Sequence, residues 1–345
     1  MTATALIPRR SAAGVGPTRG LAWVTWRQHR FAIAGVLVAL GGIGLFMLSN
    51  GLAMHHAYHS MGLDTCGQLD GPGCQSRLTA FEQDYFRWAD HLPHLVMLLP
   101  GLIGVFVGAP LVARELESGT FRFAWTQGRS RVQWIVTKLV LLGVGLTALA
   151  LAFSALFTWW YGPFDVITGR MASYGGYEVS GLTFAARTLF GFTLGALLGL
   201  LIRRTVPAMA ATAAAWTAAV VPSMLWLRPL IRQPITAIGA VAKGIGPGAG
   251  VPFNATVVRH WFQNAAGNHV DYFQLVQQAS VTNGGTDPSP DQFHAWTIQH
   301  HYSQWVSYRP NGWFWHFQIV EASGYAILAV LLAVATVLIL RRRAV

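Results

Sequence analysis

Six stretches of this chain stay apolar over about twenty residues each: 31–50, 95–113, 139–158, 182–202, 206–227 and 322–340. A bilayer's hydrocarbon core of about 30 Å takes roughly that length of helix to cross. In lipid, each segment must satisfy its backbone groups within itself or in a closed barrel. None of the six alternates apolar and polar residues, so barrel strands are excluded and helices follow. Only 11% of the residues are charged, against about 25% in soluble chains. A soluble domain is ruled out, and the expected fold class is an all-α polytopic membrane protein with six transmembrane helices.

Charge orients these helices. With the N-terminus in the cytoplasm, fifteen of the 24 basic residues fall inside, against two acids, Glu115 and Glu117. The remaining basic and acidic residues fall outside, so the formal +11 divides into +13 inside and −2 outside. Positive-inside sorting gives that asymmetry, and an N-in/C-in topology with an even number of spans results. The basic excess is then topogenic charge facing anionic lipid. No basic stripe interleaved with aromatics marks a nucleic-acid surface, and no nucleic-acid partner is expected. The polar and basic residues before the first span, and the length of that span, distinguish it from a cleaved signal peptide.

The loops divide the chain further. Residues 1–18 are rich in Ala, Gly and Pro and read as a disordered cytoplasmic tail. Residues 19–30, "RGLAWVTWRQHR", place Trp23 and Trp26 on one helical face and Arg27 and Arg30 on another, as an interfacial helix on the inner leaflet would. Residues 31–227 hold spans one to five, including an external loop at 51–92 and a cytoplasmic segment at 113–138. In the external loop, Leu78, Phe81, Tyr85 and Trp88 recur at helical spacing. Cys66 and Cys74 flank "GQLDGPG" in the same loop, a spacing that allows a structural disulfide in an oxidising compartment. Residues 228–320 form a large external region, and 321–345 supply the last span and a basic tail. Within 228–320, Ser289, Pro290 and Gln292 make a helix start with a capping box.

The segment after the second span is unusually dense in charge. "ARELESGTFRFAWTQGRSRVQWIVTKL", 113–139, carries five basic residues and two acids, whereas the next inner connection is little more than "RR" at 203–204. Gly119 can end the preceding helix. Thr120 can cap a short helix with Phe121, Phe123, Ala124 and Trp125 on its apolar side. Ser130 and Gln133 can open the third span. Positive-inside bias accounts for the arginines but not for the acids and aromatics, which suit protein docking.

"ELESGTFRFAWTQGRSRVQWIVTK" resembles the segment that follows the second span in permeases of ABC exporters of the ABC-2 type. The matching positions are Glu115, Glu117, Gly119, Thr120, Arg129 or Arg131, and Lys138. The six spans, the aromatic interfacial stretch and the long external loop before the last span extend the resemblance over nearly the whole chain. "TWRQHR" and "YRPNGWFWHFQIVE" are similar to actinobacterial members in particular. The resemblance implies a bacterial plasma-membrane subunit without an engine of its own, and no Walker A loop occurs in the chain. It implies two copies of a cytosolic ATP-binding subunit, which would hold ATP and Mg, and a homo- or heterodimer of permeases. Residues Glu115 to Lys138, with Phe121 and Trp125, would then form the coupling element, and 19–30 the connecting helix beside it. No cofactor is expected on this chain.

Other features stay open between roles. Arg187 lies about one turn into the fourth span, an expensive place for a charge. It can snorkel outward, face a translocation path, or pair with Glu178 or Glu321. Gly191, Gly195 and Gly199 allow close helix approach, within one subunit or across a dimer. His55 and His59 share a helical face but lack partners at metal-site spacing, so no metal is expected. Pro100, Pro110 and Pro222 interrupt spans two and five. No hydrolase signature such as Gly-x-Ser-x-Gly occurs, so catalytic residues are not expected. The rivals to a permease are a non-transporting protein with an external sensory or scaffold region, and a membrane-embedded hydrolase.

Overall fold

A computed structural model describes residues 17–66, 73–119, 131–171, 176–239, 251–252 and 254–342. Most of them are helical, and five helical runs are long and apolar enough to cross a membrane: Ser76–Ser118, Val132–Asp165, Thr183–Ile202, Thr205–Ile231 and Asn311–Arg342. The first expected span, 31–50, lies inside α1, Pro17–Ser60. That helix is unbroken from the expected interfacial stretch through the expected span and into the loop at 51–92. Leu40, Met47 and Met54 are its buried residues at seven-residue spacing, with Tyr58 one turn on. They pack among Phe153, Phe157 and Trp160 of α5, Arg131–Thr168.

The second run is built in pieces: α2, Cys74–Val96; α3, Leu99–Ile103; a π-turn at Gly104–Gly108; and α4, Ala109–Ser118. The external helical pattern at 78–88 and the second expected span therefore belong to one run. Leu78 and Phe81 face the core while Trp88 is exposed, with its ring against Phe46. The short α6, Gly176–Val179, leads into α7, Thr183–Ile202, and then α8, Thr205–Pro222. After α8 a second π-turn, Ser223–Leu227, precedes α9, Arg228–Ile231. Each π-turn ends two residues before a proline, Pro110 or Pro229. Proline lacks an N–H and crowds the carbonyl four residues back, and a widened turn gives that carbonyl room.

The region at 228–320 departs from the all-α expectation. It contains an antiparallel four-stranded sheet, β1 Ile235–Gly239, β2 Thr256–Gln263, β3 His269–Val270 and β4 Ser303–Arg309, in the order β1-β4-β2-β3. The strands are rich in Ile, Val, Thr, Trp and Tyr, residues that suit a pleated, half-buried surface. Trp261 stands opposite Trp305 across the β2–β4 pair. α10, Tyr272–Thr282, and α11, Pro290–Gln299, supply Leu275, Ala279 and Phe293 to a small core with Phe262 of β2. Ser289 and Gln292 form a reciprocal capping box at the start of α11. The chain returns to the membrane through α12, Phe314–Arg342.

Candidate functional site

α4 stops where Gly119 takes a left-handed conformation, φ 70°, which glycine adopts without a Cβ penalty. Thr120, Phe121, Trp125 and Arg129 lie outside the described residues, and of Arg131 only its place at the start of α5 is described. The carboxylates just before the gap both turn to this chain. Glu115 accepts a bond from the buried Lys138 ammonium, which also sits 4.5 Å from the Trp134 ring centre. Glu117 accepts from the Thr205 N–H at 2.9 Å and the Thr205 hydroxyl at 2.6 Å. Thr205 is the first residue of α8, so this carboxylate satisfies one of the four N–H groups left open there. One pair thus ties span two to span three, and the other ties it to span five.

Along α7, the glycines at 191, 195 and 199 mesh with the second run. A Cβ on Gly195 would stand 2.3 Å from the Gly104 carbonyl oxygen, and one on Gly199 would stand 2.4 Å from that of Ala109. From the other side, a Cβ on Gly108 would stand 2.5 Å from the Phe192 carbonyl oxygen. All three glycines meet backbone atoms of the second run in the same chain. Trp216 of α8 covers the Gly191 end of that seam, against Gly101 and Gly191.

Where α6, α7, α9 and α12 meet lies a cluster of four charged side chains. Arg187, 2% exposed, bonds Glu178 and reaches a Glu321 oxygen at 3.3 Å. Arg228 meets Glu178 at 2.6 Å and Glu321 at 2.6 and 3.1 Å, with its guanidinium 4.2 Å from the Tyr177 ring centre. Tyr325 lies on the other side, 5.2 Å from Arg187, and its hydroxyl bonds Ser223. Two guanidiniums and two carboxylates make the cluster formally neutral, the condition for keeping charge out of water. Burial alone would push the Glu178 carboxyl up, but Arg187 and Arg228 outweigh it and hold it below the ordinary carboxylate range. Burial pushes the Tyr177 phenol up, with the Glu321 carboxylate adding to the effect.

Arg187 therefore pairs with both of the carboxylates considered for it, and its charge stays buried instead of reaching outward. Arg228, Gln318 and Thr205 were not singled out in the sequence. Gln318 lies three residues before Glu321, on the same face of α12, and is fully buried. Its carbonyl oxygen accepts from Leu182 N, Thr183 N and the Thr183 hydroxyl, while its amide donates to Tyr177 O. A glutamine and a glutamate three apart at the head of an otherwise apolar helix were a readable signal. Arg228, at the far end of the fifth apolar stretch, was another.

Cys66 and Cys74 are joined as a disulfide, with Cα atoms 6.0 Å apart. The His55 ring stacks on Trp159 and bonds its carbonyl at 2.9 Å. Among the described residues, no group of three or more His, Cys, Asp and Glu side chains is gathered as a metal site requires.

The polar contacts around Gly119 and the four-charge cluster thus lie at opposite ends of the glycine seam. No curated protein and no solved structure matches the chain. A family model described as ABC-2 membrane transporter related matches residues 35–228, from α1 to Arg228 of the outer cluster. Over more than half its length, this chain is an integral membrane protein that belongs to the ABC-2 membrane transporter related family.

Proposed function

We propose that this protein is the six-span permease half of an ATP-driven exporter in a bacterial plasma membrane, with both termini in the cytoplasm. A separate cytosolic ATPase, two copies per complex, binds ATP and Mg and drives two permease halves between inward- and outward-open states. The cargo is a small molecule, peptide or lipid-like substrate passing between the halves. Family membership supports a transport subunit that is not itself catalytic. The observation that carries the docking assignment is the corner around Gly119, where Glu115–Lys138 and Glu117–Thr205 fix the root of the 113–138 segment against two spans. A rigid root is what a segment needs in order to pass on a push from a partner.

On this reading the corner residues divide the work. Glu115, Glu117, Gly119 and Lys138 shape the root, while Thr120, Phe121, Trp125, Arg129 and Arg131 supply the partner contact. Buried aromatic and arginine side chains dominate many protein interfaces, and truncating one costs about 2 kcal/mol or more. Tagged permease purified from its native membranes should therefore carry an ATP-hydrolysing subunit, identified by mass spectrometry. Trp125→Ala and Arg129→Glu should lower its recovery at least tenfold, the equivalent of about 1.4 kcal/mol. Parental recovery in both variants would remove the docking assignment. No ATPase with the unaltered protein would remove the exporter reading itself.

A further inference from the structure

Span five, Thr205–Ile231, is packed over only part of its length. Its buried residues, Ala208, Thr212, Trp216 and Val220, form a single stripe at four-residue spacing. Beyond Val220 no residue up to Ile231 is buried, and Met224 and Ile231 are only partly covered. That outer part starts at Pro222, widens into the π-turn at Ser223–Leu227 and meets Pro229, so its helical ladder is interrupted where its packing ends. Its polar anchors are Ser223 on Tyr325 and Arg228 on Glu178 and Glu321. A few residues on, the chain enters β1 of the external sheet. At the opposite end, Glu117 holds the first residue of the same helix.

The tie at the inner end is exposed and polar, a narrow apolar stripe seats Ala208 on Ala109 and Ala113 and sets Trp216 and Val220 among Phe190, Leu194 and Tyr325, and the outer contact is ionic. The apolar stripe fixes the inner two-thirds of the helix, whereas the part beyond Val220 is held mainly by polar contacts that break and re-form as discrete states. We infer that span five carries the coupling segment's movement to the outer face, turning about Trp216, with Glu117–Thr205 as its inner tie and Arg228 as its outer latch. The inference rests on the exporter reading and adds the positioning residues that reading lacks. Arg228 is the one member of the four-charge cluster on span five. Glu178, Arg187 and Glu321 stay on the elements it would leave, so withdrawing Arg228 would leave a net negative pocket and favour its return.

The test uses the complete permease–ATPase complex in lipid nanodiscs, with nitroxide labels on Leu230→Cys and Val320→Cys. Both positions are exposed, and Cys66 and Cys74 are engaged in their disulfide. The inter-label distance is measured without nucleotide and with ATP trapped by vanadate. The expected result is a shift between the two states in the parent. Thr205→Asp, which sets a second carboxylate against Glu117, should abolish the shift while the ATPase remains bound, and Thr205→Ser should restore it. Arg228→Gln should leave the outer end displaced in both states. Parental shifts in Thr205→Asp, or a parent that shows no shift, would overturn the inference and leave the exporter reading standing. Absence of a bound ATPase on the parent would overturn both.

Discussion

The outer charge cluster shows how a residue can be legible while its environment is not. Arg187 draws attention because a lone arginine near a bilayer is expensive, and Glu178 and Glu321 lie within reach in any plausible packing of spans four and six. Arg228 gives the same signal at the end of the fifth apolar stretch, but its pairing with Tyr177 and Glu178 of α6 and Glu321 of α12 joins elements far apart in the chain, which one sequence does not bring together. The energetics follow from burial. Removing one partner of a buried pair leaves an uncompensated charge and costs about 3–5 kcal/mol. Glu178→Gln should therefore lower the thermal stability of the detergent-solubilised protein sharply. Asp84→Asn, at an exposed position outside the cluster, should leave it nearly unchanged. The same carboxylate sets an acid limit. Because its folded-state value lies below the ordinary one, its contribution is complete above pH of about 4.3 and is lost as pH falls through the depressed value. A stability profile that loses this acid limb in Glu178→Gln supports the assignment, and an identical profile in both proteins would refute it.

At the scale of elements, apolar length was the reliable signal and local composition the weaker one. Spans two to six were readable because lipid forces each helix to advertise itself over about twenty residues. The sheet at 235–309 was not, since its strands are short, separated by helices, and rich in residues that also suit an interfacial belt. The glycines of α7 gave their spacing but not their partner, because close approach has the same signature within a chain and between chains. The partner is now specific enough to test. Gly195→Ala places a methyl 2.3 Å from a backbone oxygen and 2.6 Å from the Ala109 nitrogen. Neither backbone atom can move aside as a side-chain tip could. Overpacking of this kind costs about 1–3 kcal/mol. Gly145→Ala on α5, where no atom lies within 4 Å of the added carbon, should be neutral or slightly stabilising. Equal melting temperatures for the two variants would dissolve the seam as described.

For the whole molecule the proposed orientation rests on charge. The +13 and −2 division supports placing the Glu117 corner in the cytoplasm. The Cys66–Cys74 pairing is compatible with an external 51–92 loop. On that proposed orientation the sheet and the four-charge cluster both face outward. Charge counting is nevertheless a sum over loops, and the region at 228–320 is long enough to be exported regardless of its charge, so the short inner connection between α7 and α8 is the sharper probe. Arg203 and Arg204 are exposed there, at the corner Glu117 closes, while Val281 stands 75% exposed on the external region. With both native cysteines bonded to each other, background labelling is low. A membrane-impermeant maleimide applied to intact cells should modify Val281→Cys and spare Arg204→Cys, which should react only after permeabilisation. Because Arg204 is itself a topogenic charge, Ala208→Cys, buried in the same turn, serves as the unreactive control and Thr205→Cys as a second inner probe that leaves both arginines in place. Reaction of Thr205→Cys in intact cells would invert the molecule, move the proposed docking corner away from any cytosolic ATPase, and take the exporter reading with it.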